Sequence, residues 1–253
     1  MNIVASTEHL GTRLLDITEG LGRSVIFLNR TLLAILKPPF RLRLLLTQIL
    51  QIGVNSSVVI SLIGLFTGAV LAVQGEYTLS KFGATAFTGS MVALSLIREL
   101  GPVLTALMVI GRAGSAITAE VGIMRITEQI DALRSMAVDP IKYLMAPRLL
   151  AGIIAMPLLA AMFIVFGIAG GYIVAVGLLG LSSGTFMSEM ISAVDTFDVY
   201  SGLIKALFFG FIFGWVACYK GYTCGFGAVG VNKATTQSVV TASVAVLVVD
   251  YFL

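Results

Sequence analysis

Charge is what this sequence has least of. Only 11% of its 253 residues are Asp, Glu, Lys or Arg, whereas 58% are apolar and the mean hydropathy is +1.01. A soluble domain carries about 25% charged residues, so there are too few here to coat a globule. The shortage excludes a soluble enzyme, a disordered chain and a disulfide scaffold. Histidine is nearly absent, with His9 the single example. Cysteine is limited to Cys218 and Cys224, and no C-x-x-C, H-E-x-x-H or Cys/His cluster occurs. No metal site is therefore expected, and both cysteines read as free thiols of a reducing compartment. Residues 1–20 hold Glu8, Asp16 and Glu19 and lack an apolar core, so they do not read as a signal peptide. A net charge of +3 is too weak to suggest a nucleic-acid partner.

Long uncharged stretches take up the rest. A membrane-crossing helix needs about 20 mostly apolar residues. Five stretches qualify, at about 52–73, 82–111, 149–179, 201–219 and 234–253. Arg98 and Glu99 interrupt the second, Lys205 the fourth and Asp250 the fifth. Residues 180–188, richer in Ser, Gly and Thr, read as a loop. The expected fold is an all-α polytopic helical membrane protein.

The first 44 residues read differently. Leu10, Leu14, Ile17, Leu21, Val25, Leu28, Leu32 and Ile35 recur every three or four residues, with Arg13, Asp16, Arg23 and Arg30 off that stripe. This is the pattern of an amphipathic helix. Asn29 and Arg30 break its most apolar part, which favours lying in the membrane interface over crossing it. A sixth span is the alternative, and Pro38-Pro39 ends the helix either way. The division expected is residues 1–44 as interfacial helix and linker, and 45–253 as the transmembrane domain.

Lys and Arg set the orientation. Six precede the first span, five lie between the second and third, and two between the fourth and fifth, so 13 of 16 share one side. That side is expected to be cytoplasmic, with the N-terminus inside and Leu253 outside. The largest segment on it, ITEQIDALRSMAVDP, reads as a short helix at 126–139 with Ile126, Ile130, Leu133 and Ala137 on one face. Such a helix can lie on lipid, pack under its own bundle or dock on a partner.

Arg98 and Glu99 are the most informative polar residues. Each charge near mid-membrane costs about 2.5–3.5 kcal/mol on insertion scales. Adjacent residues on a helix point about 100° apart and cannot face one another. Neither has an opposite charge three or four residues away, so each needs a partner on another helix or water in a cavity. Lys205 is the candidate partner for Glu99. An ion pair that fixes packing and a functional site are both open at this point.

The run LSLIRELGPVLTALMVIGRAGSAITAEVGIMRITEQIDALRSMAVDP resembles the MlaE-type permease family, membrane subunits of ABC lipid transporters linked to MCE-domain proteins. The likeness covers about residues 48–250, is densest over 91–148, and includes ATTQSVV at 234–240. It implies a permease homodimer seated on two ATPase subunits, with an MCE-domain partner, an inner-membrane location and a periplasmic C-terminus. It implies phospholipid as the substrate, in a cavity to which Leu71, Gln74, Tyr77, Leu79, Arg98, Glu99 and Lys205 would contribute. The ATPase-docking residues would be Glu128, Gln129, Asp131, Ala132, Arg134, Met136 and Asp139. Independently, GRAGSAIT at Gly111 has no P-loop lysine, and no G-x-x-x-x-G-K-[ST] run occurs. The chain is therefore expected to bind no cofactor itself, with ATP and magnesium on a separate subunit.

The phosphate of a lipid suits the bidentate geometry of an arginine, and Glu99 then needs an offset. GxxxG spacing at Gly64–Gly68, Gly167–Gly171 and Gly210–Gly214 favours close helix contact, within one chain before between two. Asn55-Ser56-Ser57 matches a glycosylation sequon but lies in or beside a span. The competing classes are a proton-coupled carrier using Glu99 or Asp250, a membrane enzyme, and a structural scaffold. The first lacks an internal repeat, and the second lacks a histidine within any span.

Overall fold

Uncharged apolar runs can satisfy their backbone only internally, so they become helices. The computed structural model describes residues 3–36 and 42–253, with side chains of the first helix from Thr18 onward. Eight helices follow: α1 (Ile3–Leu36), α2 (Leu42–Ser80), α3 (Thr85–Ile126), α4 (Gln129–Ser135), α5 (Ile141–Gly177), α6 (Ser183–Ala193), α7 (Thr196–Tyr222) and α8 (Gly227–Phe252). No strand occurs among the described residues. Five of the helices, α2, α3, α5, α7 and α8, are long and apolar enough to cross a membrane. The protein is thus a polytopic helical membrane protein. Each of the five runs past at least one end of its apolar stretch, because helix continues into a polar flank until a turn residue stops it.

Helix α5 is the hub, packed between α2 and α7, and α7 also contacts α3 and α8. Phe163, Phe209, Phe213, Leu96 and Met156 fill the space between them. The glycines set the spacing. A Cβ at Gly64 would come 2.6 Å from the Phe163 carbonyl oxygen, and one at Gly68 would overlap the carbonyl of Gly167. Conversely, a Cβ at Gly170 would overlap the carbonyl of Leu65. The GxxxG of α2 therefore lies against that of α5, backbone on backbone. Gly210 on α7 approaches Gly152 on α5 in the same way, at 2.6 Å from its oxygen. All three motifs act within the chain.

Proline shapes two of the helices. Pro102 has no N–H for the carbonyl four residues back, and the turn Leu96–Leu100 just before it widens to π-helix. The same happens at Ile141–Met145 ahead of Pro147. Pro157, by contrast, sits inside α5 without ending it.

Two expectations need correction. Residues 180–188 are not all loop: Gly180, at φ +73°, ends the turn, and α6 begins at Ser183. Phe186 anchors α6, buried edge-on against Tyr172 at 5.7 Å. The helix expected at 126–139 is shorter, because Ile126 belongs to α3 and Glu128 takes a left-handed φ of 59°. Ile130 alone of the expected apolar face is fully buried; Leu133 is half-buried and Ala137 exposed. Helix α1 presents two faces. Leu21, Val25 and Leu32 of its apolar stripe are exposed, while Phe27, Thr31 and Ala34 pack on the bundle. Two faces serve two surroundings, and the exposed stripe is left for lipid. Pro38-Pro39 lies outside the described residues.

Ala137 closes α4 in a left-handed conformation, φ 58°, with Val138 N–H on Leu133 O at 2.9 Å and Ala137 N–H on Arg134 O at 2.9 Å. Glycine is the usual residue there, because alanine in that region costs about 1 kcal/mol or more. Ala137→Gly is expected to stabilise the turn by about 1 kcal/mol, read as slower hydrogen exchange at Val138. Unchanged or faster exchange counts against the strain.

Candidate functional site

The charged residues of the spans converge. Arg98 and Glu99 leave α3 from the π-helical turn Leu96–Leu100 and meet two residues of one helix, α7, two turns apart. Arg98 Nε donates to Asp198 Oδ1 at 2.7 Å. Lys205 Nζ donates to Glu99 Oε2 at 2.9 Å and Oε1 at 3.0 Å, and to Asp250 Oδ1 at 3.4 Å. Three helices, α3, α7 and α8, thus meet through two cations and three carboxylates. The expected Glu99–Lys205 partnership is present, and it supplies the offset that Glu99 needs.

Burial divides the cluster. Lys205 and Asp198 are buried, whereas Arg98 and Glu99 keep 55% and 58% of their side chains exposed. The buried members anchor, and the exposed ones present one cation and one anion side by side on α3. Asp198 has a second task. Its Oδ2 accepts the Asp195 N–H at 3.1 Å, completing a capping box at the start of α7. One carboxylate therefore fixes both the helix end and the arginine. Sequence reading missed Asp198 as a partner, although Asp195-x-x-Asp198 ahead of an apolar run is a legible capping signal.

Four expected cavity residues lie on α2. Gln74 and Tyr77 are exposed, Leu71 and Leu79 half-buried, and Lys81 Nζ sits 4.3 Å over the Tyr77 ring. Among the described residues, no hydrogen bond or ion pair joins these four to the charged cluster. What α2 does present is an exposed apolar stripe, Val59, Leu62, Phe66, Val70 and Val73.

Nearer the lysine- and arginine-rich end, a second polar layer joins α2 and α3. Arg112 NH1 donates to the Gln51 carbonyl at 2.8 Å and to Ser56 Oγ at 2.9 Å. Both elements are π-helical there, Leu50–Val54 and Ile110–Gly114, which frees the carbonyl that Arg112 uses. Ser56 is buried, and Asn55 lies at the start of the α-helical part of α2, inside a membrane-crossing helix. Arg148, one of the five basic residues between the second and third spans, is buried with NH2 2.9 Å from Glu120. Ser238 of the ATTQSVV segment is buried too, 2.9 Å from the Thr118 hydroxyl, and ties α8 to α3.

The seven expected docking residues, Glu128, Gln129, Asp131, Ala132, Arg134, Met136 and Asp139, are all exposed around α4. Arg134 bonds Asp131 at 3.1 Å and also the Tyr222 hydroxyl at the end of α7. The thiols are free. Burial raises the pKa of Cys224, which the Arg125 charge opposes in part, so it stays protonated.

Comparison with known proteins accords with this geometry. The pattern of the family described as Permease MlaE matches residues 45–253. The chain is 45% identical to the intermembrane phospholipid transport system permease protein MlaE of Haemophilus influenzae, over 99% of this chain and 97% of that protein. It is 43% identical to a probable ABC transporter permease protein of Rickettsia bellii, over 96% and 94%. It is 35% identical to the chloroplastic protein TRIGALACTOSYLDIACYLGLYCEROL 1 of Arabidopsis thaliana, over 90% of this chain and 65% of that one. On the strength of a match running through every membrane-crossing helix, this chain belongs to the MlaE permease family.

Proposed function

We propose that this chain is the membrane subunit of an ATP-driven transporter that moves phospholipid. The carrying observation is the pairing of Arg98 and Glu99, exposed yet anchored from behind by Asp198 and Lys205, on a bundle whose neighbouring α2 face is apolar. A phospholipid asks for that combination. Its tails need apolar walls and its phosphate a fixed guanidinium, while Glu99 suits a donor on the headgroup. Two copies of the chain would enclose the lipid between their α2 and α3 faces. Each cluster is a half-site, exposed in the single chain and covered in the pair. Leu71, Gln74, Tyr77 and Leu79 would line the outer part of that chamber.

Separate ATPase subunits, carrying ATP and magnesium, would engage α4. The seven exposed residues around it form a compact polar surface resting on one buried anchor, Ile130. ATPase closure would push the two α4 segments together and squeeze the chamber. An MCE-domain protein would take the lipid on the opposite, acidic side. The lysine and arginine bias supports a topology with α1 and α4 in the cytoplasm and the end of α8 outside an inner membrane. A proton carrier is the weaker reading, since Glu99 and Asp250 already share Lys205.

The test is Glu128→Lys with Asp131→Lys in the assembled complex in proteoliposomes. Both residues are exposed, so the fold should be unaffected. ATP hydrolysis should lose its dependence on the permease, and lipid movement should fall at least tenfold. Normal ATPase association with normal lipid movement would contradict the proposal.

A further inference from the structure

A cleft of about 390 Å³ lies at the lysine- and arginine-rich end, away from the charged cluster. Its walls come from three parts of the chain: Arg30 of α1, Arg134 with residues 137–141 after α4, and Tyr222 at the end of α7. We propose that it holds the phosphodiester headgroup of a membrane phospholipid, seated between α1 and α4. The inference does not depend on what the protein transports.

Charge comes first. Arg30 has no ion pair among the described residues. Arg134 spends two of its five N–H donors, on Asp131 and on the Tyr222 hydroxyl, and three remain. Asp139 also lines the cleft, with Oδ1 already accepting the Ile141 N–H at 2.9 Å. Counting Asp131 on Arg134 and Arg125, 5.6 Å over the Tyr222 ring, three guanidinium groups stand against two carboxylates and leave one positive charge, which matches a singly charged phosphodiester better than a doubly charged free phosphate. Basic pockets between helices at a membrane face are a known form of headgroup site.

Depth comes second. Tyrosine and tryptophan concentrate at the level of the headgroups. Trp215 donates to the Ser24 carbonyl at 3.3 Å and Tyr219 to the Gly20 carbonyl at 3.2 Å, so both tie α7 to α1 at that level. Phe27 of α1 packs on the rings of Tyr219 and Tyr222, at 5.6 and 5.5 Å. The outer face of α1, with Leu21, Val25 and Leu32 exposed, is left to lipid tails beside the cleft. A lipid anchored there would bridge α1 and α4 through Tyr222, which touches both.

The experiment is native mass spectrometry of the full complex in detergent, titrated in parallel with phosphatidylglycerol, with diacylglycerol and with inorganic phosphate. Arg30→Gln should weaken one phosphatidylglycerol site about fivefold, as expected for one arginine near the surface. Arg30→Lys should recover most of that loss. Arg23→Gln, on the same helix but outside the cleft, should have no effect. Diacylglycerol, which lacks the phosphate, should not compete, and millimolar phosphate should not displace the lipid. Unchanged lipid binding in Arg30→Gln overturns the proposal. Displacement by phosphate alone would make the cleft a free-anion site. A loss of ATPase association with lipid binding intact would assign the cleft to an acidic segment of a protein partner, and either result also overturns it.

Discussion

Gly68→Val is expected to leave no folded protein in the membrane. The added atoms meet the Gly167 backbone, which cannot rotate away as a side chain could. Ordinary overpacking costs about 1–3 kcal/mol. Here α2 must separate from α5, and the contacts of Gly64 and Gly170 are lost with it, so the expected cost exceeds about 3 kcal/mol. Gly177→Ala is the matched control, at the end of α5 with nothing within 4 Å of the added atom. Fluorescence-detected size exclusion after a temperature series reads the difference. Gly68→Val should give aggregate, and Gly177→Ala a parental midpoint. A parental midpoint for Gly68→Val would show that α2 and α5 are not in backbone contact.

Lys205→Ala is the second large effect. It leaves Glu99 and Asp250 facing each other across a space that no longer holds a cation. Removing one partner of a buried pair costs about 3–5 kcal/mol, and here the cost should sit at or below the low end, because Glu99 is 58% exposed and water can reach it. Arg98→Ala should cost a similar amount, because the carboxylate it strands, Asp198, is buried. Adding Glu99→Gln to Lys205→Met should restore more than half of the loss, since a neutral amide no longer needs the ammonium. A double-mutant cycle on thermal stability isolates that coupling. Additive effects of the two substitutions would mean that the ion pair contributes nothing to the fold.

Much of this architecture was legible because membrane helices obey one dominant rule, that uncharged length becomes helix. Five spans, the amphipathic α1 and the intrachain use of GxxxG all follow from it. The Glu99–Lys205 pair was legible by elimination, since so few charges interrupt the spans. Asp198 was not legible until α7 is traced through its cap, because it stands at the edge of its apolar run, where a carboxylate would ordinarily meet water. The role of Arg148 was illegible for the opposite reason. It sits in a basic flank, and only its burial against Glu120 reveals its role. The extent of α4 was illegible because a left-handed Glu128 breaks the helical register, and nothing in its residue type announces that conformation.

The seam between α2 and α5 limits how this molecule can change shape. Where main chain meets main chain, no side chain is present whose rotation could absorb a sliding step. The two helices must then travel as one rigid plate, carrying the apolar stripe of α2 wherever α5 goes. Any opening or closing of the surface beside Arg98 and Glu99 has to be accommodated at looser seams. The thinly covered α8, held near Lys205 by a 3.4 Å contact, is where that play is available.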